Sequence, residues 1–292
     1  MLGEINELVK QASFDSEDDR EEALFVRKHS TEVIQLWKAH QLRSVRQDES
    51  KQHFLQQLDT SSVFITQDWA MKFMPRKYRE SQADWFGKRG ISWHISVAVR
   101  RQNNHLHSQG FVHIIQNCNQ GSKAVVSIME HVLVTLKKEH PEIVKARFRQ
   151  DNSGCYHSTV TIASVPVLER ESGIVIADID FSEPQGGKGP ADRMAATIKG
   201  HIRRNVNEGN DVTNAKEMEK AILSHGGLQG IRVCVVEFLG EPIDNLPTPK
   251  ITGISKLNNF KFCPGGVRAW QPFGIGLGKY LNLFRYIFQI KC

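Results

Sequence analysis

The chain has 292 residues, 40% of them hydrophobic and 24% charged, with a net charge of +6. That composition suits a globular protein with one large domain and appendages, and excludes a chain disordered throughout. No apolar run reaches the length of a membrane span, and the first residues carry no charged-then-apolar signal pattern, so the chain is expected inside the cell. The five cysteines are scattered and odd in number, with no C-x-x-C pair, which points to neither a zinc ribbon nor a disulfide framework.

The charge is unevenly distributed. Residues 1–60 carry 8 Lys/Arg against 12 Asp/Glu, whereas residues 71–101 carry 8 against 2, residues 186–204 carry 5 against 1 and residues 250–292 carry 7 against none. A basic body behind an acidic N-terminal segment suits a polyanionic partner. A nucleic acid is such a partner, a homo-oligomer is compatible with it, and the nucleus is then the expected location.

Taken in chain order, residues 15–58 form an N-terminal helical segment. Ser16 followed by acidic residues marks a helix start, and Phe25, Val26, Val33, Leu36 and Trp37 recur at helical spacing. Residues 62–67 read as a short buried strand ending at Asp68. A basic and aromatic connection over 75–90 leads to two alternating strands at 91–100 and 110–116, joined by a hairpin turn near Asn103-Asn104. A helix over 122–139 stops before Pro141. A strand over 144–150 ends at Asp151, and a helical stretch covers about 154–170. A strand over 173–181 runs into the loop S-E-P-Q-G-G-K-G, and Pro190 opens a helix reaching about Asn207. A helix near 213–224, a strand near 231–238 and a basic Gly-rich tail complete the chain. The domain division expected is 1–60, 61–210 and 211–292.

The order β-β-β-α-β-α-β-α predicts an α/β fold: a mixed sheet with an antiparallel meander joined to parallel strands and helices on both faces, the element order of the ribonuclease H fold. In such a fold, phosphodiester chemistry needs carboxylates converging on Mg²⁺. Asp68 at the first strand, Asp151 after the fourth and Asp192 in the first turn of the helix after the fifth are the candidates, for catalysis and for metal alike. Glu183 competes with Asp192 for the third place. Each acid has a plainer reading: Asp68 as a turn cap, Asp151 as an Asx turn or helix cap, and Asp192 as a complement to the helix dipole. Glu130 sits on a polar helix side, and Asp178 and Asp180 lie within the fifth strand. G-G-K-G-P lacks the Gly and the Ser/Thr of an ATP-binding loop, leaving Lys188 beside the helix start as a phosphate contact. Arg76, Lys77, Arg79, Lys88 and Arg89, interleaved with Tyr78, Trp85 and Phe86, are candidate nucleic-acid contacts, with Arg203 and Arg204 extending the basic face. The irregular spacing of His94, His105, His107 and His113 suits structural or surface roles better than a metal cluster.

Three separated blocks, T-Q-D-W-A-M-K-F-M-P, Q-D-N-S-G-C-Y-H and F-S-E-P-Q-G-G-K-G-P-A-D-R, together resemble the core of eukaryotic cut-and-paste DNA transposases and of animal proteins derived from them. The resemblance covers roughly residues 60–210. It implies an acid triad of Asp68, Asp151 and either Asp192 or Glu183, binding Mg²⁺ or Mn²⁺ as a two-metal site. The implied chemistry is hydrolysis of a DNA strand followed by attack of the freed 3′-hydroxyl on target DNA. Departures are the lack of a visible zinc-finger end-binding domain and a final F-R-Y-I-F-Q-I-K-C without a clear cap, as in a fragment or degraded copy. A domesticated or decayed core that binds nucleic acid or protein without catalysis is the alternative. A proofreading-type exonuclease would need D-x-E on the first strand, where this chain has Asp68-Trp69-Ala70.

Overall fold

The computed structural model describes residues 2–182, 189–236 and 251–282. Helices α1 (Leu2–Gln11) and α2 (Glu17–Gln56) come first. The Ser16 side chain accepts the Asp19 amide, with Glu17, Asp18 and Asp19 in the first turn of α2, so the expected start is a capped helix end complementing its dipole. The body follows as β1 (Ser62–Phe73), α3 (Gln82–Trp85), β2 (Ile91–Gln102), β3 (His105–Ile115), α4 (Ser122–Glu139), β4 (Lys145–Gln150), α5 (Thr159–Ala163), α6 (Val165–Ser172), β5 (Val175–Phe181), α7 (Pro190–Asn207), α8 (Ala215–Leu223) and β6 (Ile231–Val235). Strands β7 (Asn259–Cys263), β8 (Gly266–Trp270) and β9 (Lys279–Leu281) complete it.

All nine of these strands share one sheet in the order β6-β3-β2-β1-β4-β5-β7-β8-β9. β1 pairs antiparallel with β2 and β2 with β3, whereas β4 lies parallel to β1 and β5 parallel to β4. This five-strand centre, a meander continued by two parallel strands through helical crossovers, is the ribonuclease H-like architecture that the element order predicts. Asn103 and Asn104, both with positive φ, make the tight turn between β2 and β3. Asparagine tolerates that left-handed backbone, which matches the twist of the paired strands.

Three local features differ from expectation. β1 runs on past Gln67 to Phe73, so Asp68 sits inside the strand rather than at its end. The helical stretch after β4 is split into α5 and α6, which meet at Ser164. Pro166 explains the break, because a proline ring cannot follow the preceding turn and is accommodated only at a fresh helix start. The Gly-rich tail folds in part as β7, β8 and β9, which extend the sheet beyond β5.

The sheet is buried on both faces. Val63, Ile65, Ala146, Phe148, Ile176, Ile179 and Phe181 face α4, α5 and α6, whose Val125, Met129, Val132, Leu133, Ile162 and Leu168 close that core. On the other face Ile91, Trp93, Ile95, Val97, Val112 and Ile114 meet α7 and α8. In α7, Ala191, Ala195, Ile198, Ile202 and Val206 fall at helical spacing along one buried stripe. The small residues at its start bring the helix N-terminus down onto the strands, and a Cβ at Gly110 would run into Met194. Only the C-terminal end of α2 docks on this second face, through Gln47, Ser50 and Phe54. Phe54 contacts the ring of Phe64 and lies under the Arg147 guanidinium.

Candidate active site

Pleating decides which side chains can meet. Gln67 of β1 and Gln150 of β4 are partners in the parallel ladder, so their side chains leave the sheet on the same face. They are hydrogen-bonded, Gln150 Nε2 donating to Gln67 Oε1 at 2.8 Å, and Gln67 Nε2 donates to Ser96 Oγ of β2 at 2.9 Å. This buried amide chain ties β4, β1 and β2 together at one height. The next residue on each strand is an acid. Asp68 faces the opposite side from Gln67, toward α7, and Asp151 is the first residue past the end of β4.

The loop carrying Asp151 is held from within. The Ser153 carbonyl accepts the amides of Tyr156 and His157. The His157 ring pairs with the Asn152 side chain and stacks on Phe181, centroids 4.2 Å apart. Asp192 occupies the third position of α7, where one carboxylate oxygen accepts the Gly189 amide at 2.8 Å. It thus caps its helix, at a first-turn position where its charge also complements the helix dipole.

The electrostatics report the convergence. Burial, and then the charges of Asp151 and Asp192, push the Asp68 carboxyl up to about 7. Asp68 on its central strand is therefore within electrostatic reach of the post-strand loop and of the helix start. Among the described residues, no three His, Cys, Asp or Glu side chains lie close enough together to hold a metal ion in this arrangement. The donor set nevertheless fits a hard cation: oxygen ligands only, with excess negative charge that a divalent ion would relieve.

Glu183 and Lys188 lie outside the described residues. Glu130 is exposed on α4. Asp178 and Asp180 face neither the acids nor solvent. Asp178 accepts Arg147 Nε at 3.0 Å, and Asp180 accepts Ser50 of α2 and, at 2.7 Å, Asn259 of β7. Burial pushes the Asp180 carboxyl up to about 6 in spite of these donors. Asp180 fastens the sheet to α2, and Asp178 fastens β5 to β4.

The connection between β1 and β2 is folded by its own charges. Lys77 pairs with Asp84 at 2.7 Å, and Lys88 pairs with Glu80 and lies over the Trp85 ring. Arg76, Arg79 and Arg89 are exposed, as are Tyr78, Trp85 and Phe86. Arg203 and Arg204 are exposed near the end of α7, Arg204 pairing with Glu208. Eleven residues of helix set Arg203 about 16 Å from Asp192, so this pair can meet only a distant part of a long ligand.

Tyr156 was not singled out by its residue type or spacing. It is fully buried, its hydroxyl has no protein partner, and burial followed by the charge of Asp68 raises it well above the usual range. Its position five residues after Asp151 is the one available signal. Beside it lie His94, buried with both ring nitrogens unpartnered, and His113, whose Nε2 meets His131 Nδ1 at 2.9 Å. His105 and His107 are exposed on the hairpin.

Strand order and pairing directions define a ribonuclease H-like domain. The chain belongs to the family described as Domain of unknown function (DUF8701), which matches residues 47–238. No curated protein matches it in sequence. Among solved structures it is similar to the human cytomegalovirus terminase nuclease domain, with 9% identity and a TM-score of 0.27 over 59% of this chain and 65% of that one. It is also similar to the same domain soaked with Mn and bound to an inhibitor, with 10% identity and a TM-score of 0.26 over 64% and 72%. The Mos1 transposase paired-end complex with left transposon end has 9% identity and a TM-score of 0.30 over 75% and 69%. The chain thus spans just under two thirds of the first of these domains. Scores this low establish no common fold by themselves, and the ribonuclease H-like architecture follows from the strand order and pairing of this chain.

Proposed function

We propose that this chain is a metal-dependent nucleic-acid strand-cleaving domain acting on DNA, with Asp68, Asp151 and Asp192 as its acidic centre. The observation that carries the reading is the placement of Asp68, half-buried inside β1 with Asp151 and Asp192 as its charged neighbours, so that burial first and those two charges next raise it to about 7. A structural acid is normally relieved by a cation or by several donors, as Asp178 is by Arg147. Asp68 instead faces two further acids, an arrangement that costs stability and is characteristic of sites built for a ligand.

Asp68, inside β1, and Asp151, just past the end of β4, would hold the ion between them, with Asp192 closing from α7. When bound, Mg²⁺ or Mn²⁺ would supply charge neutralisation at the scissile phosphate and an activated water. Asp68 is positioned rigidly, because β1 is bonded on both sides and its neighbour Gln67 is locked. Asp192 is positioned by its own cap and by the Ala191–Ala195 contact with the sheet. Exposed Arg76, Arg79 and Arg89 would meet backbone phosphates, while Trp85 and Phe86 offer faces for unpaired bases. Lys77 and Lys88 contribute less net charge, being paired within the loop. Transfer of the freed 3′-hydroxyl to a second DNA is the finer, transposase-like form of the same reading, with Glu183 as an alternative third acid.

Incubation of the purified chain with labelled DNA and Mg²⁺ or Mn²⁺, beside Asp151→Ala, tests the reading. Cleavage by the intact chain and loss in the variant are expected. Cleavage equal in both, or none by the intact chain across single-stranded, duplex and branched substrates, would overturn it. A second reading, binding without catalysis, is favoured by the spacing of the described acids, no three of which lie close enough together to hold one ion. Its signature is a salt-dependent shift of DNA without cleavage.

A further inference from the structure

Helix α2 is far longer than the surface it docks on. Forty residues span about 60 Å, yet its buried residues, Gln47, Ser50 and Phe54, all lie in its last quarter. The apolar stripe expected from the sequence is present but uncovered: Phe25 is 69% exposed, Val26 53%, Val33 49%, Leu36 70% and Trp37 60%. At 100° per residue these five fall within about 120° of one another. That face continues the one which, further along, packs Gln47 and Phe54 onto the sheet. α1 covers only one edge of it: the groove between α1 and α2 is lined on α2 by Asp19, Glu22, Ala23, Val26, Arg27 and Ile34, which leaves Val26 half exposed and Phe25, Val33, Leu36 and Trp37 uncovered. Large aromatic and aliphatic side chains repeated along one exposed helix face mark an interaction surface.

The charges on α2 select the occupant. Asp18, Asp19 and Glu22 stand at the N-terminal end of the stripe, and His40, Arg43 and Arg46 at the other end. The two groups are nearly equidistant from Thr31, and so are the two halves of the apolar stripe. A second α2 running antiparallel, with a two-fold axis at the level of Thr31, sets Phe25 opposite Trp37, Val26 opposite Leu36 and His29 opposite Val33. The same register sets Asp19 opposite Arg43 and Glu22 opposite His40. A parallel partner would set acids on acids. DNA is a poor occupant, because the helix begins with a run of acids. We propose that the chain self-associates by antiparallel pairing of α2 with α2 of a second copy, an isologous interface in which each aromatic anchor meets an aliphatic or aromatic one.

The test is independent of any nuclease activity. Light scattering on the full chain at tens of micromolar is expected to give twice the 33.1 kDa chain mass. Leu36→Asp/Trp37→Asp is expected to give a monomer with an unchanged circular dichroism spectrum, since neither side chain is part of the core. Asp19→Lys, and separately Arg43→Glu, should each raise the dimer dissociation constant by about tenfold or more, and mixing the two variants should restore a dimer. A monomeric intact chain would overturn the proposal. So would a dimer that persists through Leu36→Asp/Trp37→Asp or through both charge reversals, because a parallel pairing is indifferent to the latter.

Discussion

Replacing Asp68 by Asn should make the folded protein more stable at neutral and alkaline pH. The usual carboxyl value is 3.8 and burial with two neighbouring acids lifts it to about 7. The folded state therefore holds the proton more tightly than the unfolded chain. The sign follows: the stabilisation is fully present below the unfolded value of 3.8 and is lost as the pH rises through the folded value near 7. At about 1.36 kcal/mol per pH unit the full loss is about 4 kcal/mol. The carboxyl is partly exposed, so solvent screening reduces this to about 2 kcal/mol. Asn mimics the neutral acid and keeps the volume, so the gain should appear at pH 8 and vanish near pH 4. Urea denaturation of both proteins at the two pH values, compared by midpoint at equal slope, measures it. Mg²⁺ at pH 8 should raise the midpoint of the unmodified chain, because binding to the folded state alone adds stability, and should raise that of the variant much less. Equal stability of the two proteins at pH 8 would refute the convergence of charge on Asp68.

Three further outcomes are expected. Phe54→Ala should cost about 3–5 kcal/mol, because the ring seats the end of α2 on Phe64, Arg147 and Phe273; thermal unfolding with limited proteolysis of α2 checks it, and a cost below about 1 kcal/mol would mean that α2 is held elsewhere. His94 is buried neutral, held well below its usual 6.5 by burial, so its contribution is present above 6.5 and is lost as the pH falls, when the unfolded chain takes up the proton. His94→Phe should flatten the acid limb of the stability profile by about 1.4 kcal/mol per pH unit, and an unchanged slope would show that His94 is protonated in the fold. Trp85→Ala and Phe86→Ala, both exposed, should weaken binding of single-stranded DNA by about 1–3 kcal/mol per stacked base while leaving the salt dependence unchanged; fluorescence anisotropy across a salt series separates these effects, and unaltered affinity would assign the aromatics another role.

Much of the sheet was legible because its signals are local. Alternation over β2 and β3, the Asn-Asn turn, the α4 pattern and Pro190 at the start of α7 each act within a few residues, where pleat, twist and helix capping dominate. The same holds for Asp151 and Asp192, placed by the strand and helix ends that carry them. What stayed hidden depends on contacts between distant segments. β7 and β8 have five residues each, and they become strands because β5 offers an open edge. Asp180 and Asp178 look like site acids by position, yet α2 and Arg147 claim them across the sheet. Tyr156 and His94 acquire their character only from burial against Trp69 and His113. The stripe on α2 reads as core by periodicity alone, and the tertiary structure leaves it bare, since hydrophobic spacing specifies that a face will be covered but not by which molecule. The acids follow the same division. Sequence determines which elements carry Asp68, Asp151 and Asp192; only the folded chain, by stacking β1 on β4 and laying α7 across them, brings their charges close enough to oppose one another.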